Sequence, residues 1–323
     1  MHRAFACSRF VGASAPTARF PRNRQTRSLG SKSAAAVNHF AKGGCGKQLS
    51  LNSRRPLSVR SASLFDALMG LAGSSGLVAK EDALPGRDRK MAVSPKHYVL
   101  GTPMEGPWPE NMEVIIIANG CFWGSEKGMW RLPGGGIHST AVGYAAGYSP
   151  NPTYEEACSG RTGHTEAVQV VYDPSKIALA DILRWFWEAH DPTQGMRQGN
   201  DRGTQYRSGL YWFTEEQGAL CKASKDAYEK ALGRKITTEL APASDYDQVF
   251  YYGEDYHQQY LAKPGARPYC SAQPTQVSLP PFETWAPESV KHLTPKLTQD
   301  FWDKEAPSPH CVIRSPNAPI QWP

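Results

Sequence analysis

The spacing of apolar residues predicts an α+β fold, one sheet with helices packed on it, and three observations carry that reading. Short apolar or small-residue runs at residues 114–118, 139–148, 165–172 and 210–213 have the length of strands. Two stretches, 178–190 and 214–232, repeat their apolar residues at helical spacing. No glycine-rich phosphate loop links a strand to a helix, which argues against a parallel nucleotide-binding sheet.

In chain order, residues 1–65 hold no Asp or Glu and twelve Arg or Lys. They are rich in Ser and Ala and contain no long apolar stretch. This is the composition of an organelle transit peptide rather than a secretory signal, with a disordered basic tail as the alternative. The Ser and Ala content points to the plastid, and the arginines keep the mitochondrion open. The same stretch accounts for the formal net charge of +6: without it, 24 basic residues face 30 acidic ones. The body is therefore mildly acidic, and no basic stripe suggests a nucleic-acid partner. No run reaches the roughly 18 apolar residues that a bilayer span needs, so a soluble protein with no membrane partner is expected. Residues 66–112 mix charge with Gly and Pro and are expected to form a linker, with a short helix at 64–71.

The folded body is expected to span residues 113–270. Residues 149–153 (SPNPT) form a turn, and Asp173-Pro174-Ser175 ends the strand before it. Leu179, Ile182, Leu183, Phe186 and Trp187 give the first helix its apolar face. Residues 191–206 form a polar, glycine-punctuated loop of a length that usually carries function. Thr214 caps the second helix, with Gln217 completing a capping box. Strands are expected at 236–240 and 249–251, and a helical turn or two at 254–261. Residues 271–323, dominated by Pro, Ser and Thr, are expected to form an irregular extension.

The chemistry centres on Gly120-Cys121-Phe122-Trp123-Gly124, between the first strand and a helix start. A cysteine there faces the positive end of a helix dipole, which favours thiolate. The other reading is a buried structural cysteine with core aromatics beside it. Of seven cysteines, Cys7 and Cys45 lie in the leader, and Cys121, Cys158, Cys221, Cys270 and Cys311 lie in the body. None has CxxC spacing, so these thiols are redox-active or inert rather than a disulfide framework. Glu166 opens an apolar strand, where desolvation raises a carboxyl pKa and makes a proton donor; a solvated strand-end carboxylate is the alternative. Tyr154, Tyr206 and Asp201 sit in loops, as site residues or as packing and turn residues. His164, His190 and His257 lack zinc-ligand spacing, so no metal is expected. A cysteine hydrolase or acyltransferase using His164 or His257 is a competing class, and a non-enzymatic binding module is another.

The pattern resembles the peptide methionine sulfoxide reductases of the A type. Beyond residues 120–124 the likeness runs through Asn151-Pro152-Thr153-Tyr154, Thr162-Gly163-His164-Thr165-Glu166, His190-Asp191-Pro192, residues 199–208 (GNDRGTQYRS) and Asp255-Tyr256-His257-Gln258-Gln259-Tyr260. It covers about residues 113–270, in family order. The resemblance implies a two-layer α+β sandwich around a ferredoxin-like core. It implies Cys121 as nucleophile on the sulfoxide sulfur and Glu166 as proton donor to the oxygen. Tyr154, Tyr206 and Asp201 would assist at that oxygen, and Phe122 and Trp123 would form the methyl pocket. It further implies specificity for the S epimer in proteins and free methionine, and a monomer without cofactor. Cys270 would be the resolving thiol on a mobile segment, and a thioredoxin-like protein would be the reductant. The chain departs from the common three-cysteine pattern at Ser278 and carries Cys311 further on. Cys311 is either a second resolving thiol or a bystander.

Overall fold

The computed structural model describes residues 76–322. The transit peptide expected at 1–65 and the helix expected at 64–71 both lie outside the described residues. The elements are β1 (Glu113–Asn119), α1 (Phe122–Trp130), β2 (Ile137–Ala145), α2 (Tyr154–Cys158), β3 (Thr165–Tyr172), α3 (Leu179–Glu188), β4 (Arg197–Gln198), β5 (Asp201–Arg202), β6 (Ser208–Trp212), α4 (Glu215–Leu232), β7 (Glu239–Pro242), β8 (Phe250–Tyr252), α5 (Gln299–Glu305) and α6 (Cys311–Arg314).

Six strands form one sheet in the order β7-β6-β1-β3-β2-β8, while β4 and β5 make a separate hairpin. All pairings are antiparallel except β6 with β7. The link β1-α1-β2 passes over β3, and β3-α3-β6 passes over β1, so two strand–helix–strand units interleave. The mixed α+β class expected from the sequence is what forms.

Alternation along β1 sends Ile115 and Ile117 to the helical face and Ile116 and Ala118 to the other. On the helical face they meet Phe122 and Met129 of α1, Ile182, Leu183, Phe186 and Trp187 of α3, and Leu220 of α4. Burying side chains of this size is worth about 1.5–3 kcal/mol each. The second face is covered by chain without helices. Met104 is buried there against Ile116 and Ala141, while His97 reaches the helical side, where it hydrogen-bonds the Thr140 hydroxyl at 2.8 Å and meets the Trp130 ring edge-on. A bridge from Lys96 to Pro103 shapes this segment. The expected linker is thus, at residues 93–104, a packed cover of the sheet.

Three further expectations shift. Gln217 does not close the box on Thr214; its side chain accepts from the Phe213 N–H at 2.9 Å, one residue earlier. The strand expected at 236–240 forms instead at Glu239–Pro242, where Leu240 pairs with Leu210 and Pro242 is tolerated on an edge. The helix expected at 254–261 reduces to turns with one 3-10 turn, Tyr260–Ala262. Gln259 has φ +47, outside the helical region, and the Gln258 side chain pairs with both Val142 N–H and Val142 C=O at 2.9 Å.

The C-terminal extension is irregular in secondary structure but not loose. Leu279, Phe282, Val290, Phe301, Trp302 and Val312 join the helical-face core. Two buried carboxylates of α3 receive its backbone: Asp181 accepts from Lys296 N–H at 2.8 Å and Leu297 N–H at 3.2 Å, and Glu188 from Leu279 N–H at 2.9 Å. Beyond Cys270 the chain is thus tied to α3 at residues 279, 296 and 297.

Candidate active site

The site grows from the turn that ends β1. Gly120 has φ +95, and a Cβ there would meet the Gln198 side chain at 2.7 Å, so only glycine fits this turn. Cys121 follows as the N-cap residue of α1 and stays partly exposed. The next residue ties the helix start to β3: the Phe122 N–H donates to Glu166 at 2.9 Å. Glu166 is buried and lies opposite Tyr144 in the β2–β3 ladder.

Burial pushes the Glu166 carboxyl up to about 8; the Phe122 N–H opposes the shift and the Asp201 charge adds to it. Glu166 is thus protonated at neutral pH, as expected from its place at a strand mouth. The thiol departs from expectation. Burial raises the Cys121 pKa well above its ordinary value, and Glu166 and Asp201 raise it further. A helix N-terminus contributes roughly 0.3–1 kcal/mol, less than one pKa unit. Desolvation is the largest effect at Cys121 and decides the direction. The resting Cys121 is a thiol, not the thiolate the dipole suggested.

A cavity of about 180 Å³ brings the expected residues together: Cys121, Phe122, Trp123, Tyr154, Glu166, Asp201 and Tyr206 all line it. Tyr154 enters from the first turn of α2, whose N-cap Thr153 forms a capping box with Glu156. Tyr206 ends the 3-10 turn that follows Gly203. Burial raises both phenols above their ordinary value, so both hydroxyls keep a proton to donate. Asp201 lines the cavity with them and is also engaged by two hydroxyls. Its carboxylate accepts from the Tyr269 hydroxyl at 2.5 Å and from the Ser271 hydroxyl, on either side of Cys270.

Two lining residues, Arg267 and Tyr269, were not singled out from the sequence. Neither was the backing of Trp123. Its ring stacks on Tyr260 with centroids 4.0 Å apart, and its indole N–H donates to His257 Nδ1 at 3.1 Å. Their signal was present, since both belong to the aromatic block at residues 255–260.

The imidazoles proposed for a hydrolase are otherwise engaged. His164 binds the Gly147 N–H and the Ser149 carbonyl, and His257 takes the Trp123 N–H. Burial lowers both to about 4. Among the described residues, no hydrogen bond joins either imidazole to Cys121, and no three His, Cys, Asp or Glu side chains gather as a metal site.

The Cys270 sulfur lies over the first turn of α1, where a Cβ on Gly124 would meet it at 2.8 Å. Cys270 and Cys311 line one small cavity of about 20 Å³ with Gly124 and Ser125. All five body cysteines are reduced. Cys221 is buried in the core, and Cys158 is buried with its thiol pushed up to about 12. The arrangement offers a nucleophilic thiol, a neutral acid and two hydroxyl donors around a cavity with an aromatic wall, and two further thiols beyond α1.

Known proteins share this arrangement's sequence. Residues 113–284 match the family peptide methionine sulfoxide reductase. The chain is 56% identical over 211 residues to the peptide methionine sulfoxide reductase MsrA of Salinispora arenicola, covering 63% of this chain and 92% of that protein. It is 52% identical over 210 residues to MsrA 1 of Synechocystis, covering 64% and 91%. Among solved structures, the methionine sulfoxide reductase A of Corynebacterium diphtheriae superposes with a TM-score of 0.54 at 42% identity, covering 63% of this chain and 97% of that one. With a match over more than half its length, and with Cys121 and Glu166 meeting within the matched region, the chain belongs to the peptide methionine sulfoxide reductase family.

Proposed function

We propose that the chain reduces the S epimer of methionine sulfoxide, in proteins and as the free amino acid, and is recycled by a thioredoxin-type dithiol. The observation that carries the mechanism is the pairing of a thiol at a helix start with a carboxyl kept neutral to about pH 8 across the Phe122 N–H.

Cys121 attacks the sulfoxide sulfur while Glu166 gives its proton to the sulfoxide oxygen. Tyr154 and Tyr206 donate hydrogen bonds to that oxygen as its negative charge grows. Phe122 and Trp123 receive the methyl group, and the shape of that wall selects the epimer. The oxygen passes from the methionine sulfur to the Cys121 sulfur as the transient bond between the two sulfurs breaks; methionine leaves, Cys121 is left as sulfenic acid, and the thiol proton goes to Glu166. Cys270 then attacks the sulfenic sulfur; one water leaves and a Cys121–Cys270 disulfide forms. Cys311, which shares a cavity with Cys270, exchanges next to give Cys270–Cys311 and free Cys121. The dithiol reduces that bond and is itself oxidised. Asp201 serves by holding Tyr269 and Ser271 around Cys270. No cofactor enters this chemistry.

The interleaved β1-α1-β2-β3-α3-β6 topology supports reading the centre as a ferredoxin-like core. Every group in the mechanism comes from one chain, which supports a monomer. The acid-free residues 1–65 support delivery to the plastid, with the mitochondrion as the alternative destination.

The deciding assay offers peptides carrying either epimer, with dithiothreitol or thioredoxin as reductant. Turnover of the S epimer that is lost in Cys121→Ser is the expected result. No turnover of that epimer by the unmodified chain would sink the proposal.

A further inference from the structure

The charges around the cavity are unequal in a way that bears on which sulfoxides it takes. Two carboxyl groups and one guanidinium line it: Glu166, Asp201 and Arg267. Glu166 is neutral up to about pH 8. The Asp201 carboxylate is engaged by Tyr269 and Ser271. Arg267 is exposed, and among the described residues no ion pair includes it. Its guanidinium lies 5.8 Å from the Tyr269 ring centre, and its backbone N–H donates to the Tyr260 hydroxyl at 3.0 Å. Pro264 and Pro268 restrict the loop on either side. An arginine is thus held at the mouth with its fork free, beside the aromatic residues that wall the cavity. A guanidinium in that state is matched by a carboxylate.

Resting on the reductase reading, we propose that Arg267 is a specificity residue that recognises a carboxylate on the substrate, next to the methionine sulfoxide side chain. The carboxylate comes from an acidic residue beside the sulfoxide in a peptide, or from the free α-carboxylate of the methionine sulfoxide itself. Arg267 touches neither the sulfur nor the oxygen. Its contact is equal in ground state and transition state, so its effect falls on KM and leaves kcat in place. An exposed ion pair is worth roughly 0.2–1 kcal/mol, which is about a 1.4- to 5-fold effect. Salt weakens it, because the screening length falls from about 10 Å at 0.1 M to about 3 Å at 1 M.

The test uses the full chain with dithiothreitol and S-epimer substrates in two pairs. One pair carries Asp or Asn beside the sulfoxide in otherwise identical capped peptides. The other carries the sulfoxide as a C-terminal residue with a free or an amidated carboxyl. The expected result is a lower KM for the charged member of at least one pair, by about two- to five-fold. That preference shrinks at high salt, collapses in Arg267→Gln and is kept in part in Arg267→Lys. A preference in the first pair alone assigns the acidic side chain, and in the second pair alone the α-carboxylate. Turnover without preference in either pair, or the same preference in Arg267→Gln, overturns the proposal. No turnover of any substrate by the unmodified chain counts instead against the reductase reading.

Discussion

The Tyr269 hydroxyl donates to the Asp201 carboxylate at 2.5 Å, and this bond fastens the segment that carries Cys270 to the β4–β5 hairpin. Ser271 donates to the other carboxylate oxygen, so the cysteine is held from both sides. Hydrogen bonds to a charged group contribute roughly 1.5–3 kcal/mol. Asp201→Asn keeps the shape but replaces one acceptor oxygen with a donor. Formation of the Cys121–Cys270 disulfide should then slow by about ten-fold or more, given the loss of one such bond. The first, stoichiometric release of methionine should change less. Rapid-quench counting of free thiols after one equivalent of sulfoxide separates the two steps. Equal rates of disulfide formation in both proteins would remove the latch role.

The acid and the nucleophile respond to pH in opposite directions. Glu166 must be protonated to act, so its contribution is present below about pH 8 and is lost as pH rises through that value. Cys121, raised well above its ordinary value, gains thiolate as pH rises. In the unmodified chain the two trends offset above about pH 8, so the rise of the single-turnover rate with pH should level off there. Glu166→Gln cannot donate the proton and should be slower at neutral pH by about 10²–10⁴-fold. Its rate should keep rising through pH 8 instead of levelling off, and its thiol should alkylate at lower pH, because a charge that raises Cys121 is gone. Iodoacetamide titration checks the last point. A levelling-off near pH 8 that persists in Glu166→Gln would assign it to another group.

How far the sequence reached can be judged on these same residues. The first strand was legible as a short β-branched apolar run at residues 114–118, and both of its faces are buried. That double burial also hid what covers the second face, since a continuous apolar run does not say whether a helix or a loop lies on it. Met104 and His97 came from a stretch whose Gly, Pro and mixed charge read as a linker. The Cys121 dipole was visible from a strand-to-helix turn, but the burial that outweighs it depends on β3, about 45 residues away. Asp201 was singled out correctly as a cavity residue, while its partners Tyr269 and Ser271 depend on the folding-back of a distant segment.

The recycling order separates on two cysteines. Cys270→Ser should complete one turnover and stop with thioredoxin, because the thiol that lies over the first turn of α1 is gone. Cys311→Ser should still form the Cys121–Cys270 disulfide, and its defect should appear in thioredoxin-dependent cycling while dithiothreitol still supports turnover. Mass spectrometry of the oxidised unmodified chain should find the Cys270–Cys311 bond. Full thioredoxin cycling in Cys311→Ser would make Cys311 a bystander, and full cycling in Cys270→Ser would move the resolving role to another thiol.

The extension beyond Cys270 should behave as part of the core. Phe301 is 1% exposed and meets Trp302 and Trp322 edge-on at centroid distances of 5.1 and 5.2 Å. Arg184 of α3 lies over the Trp302 ring at 4.6 Å. Backbone N–H groups of residues 296 and 297 end on Asp181, so the chain around these aromatics is fixed at both backbone and side chain. Removing a buried phenylalanine ring costs about 3–5 kcal/mol where the surroundings cannot collapse into the gap. Phe301→Ala should therefore lower unfolding stability by about that amount in a denaturant titration, with the urea m-value unchanged. A detached tail would instead give a surface-like change within about 0.5 kcal/mol, and that result would contradict the packing of α5 on α3.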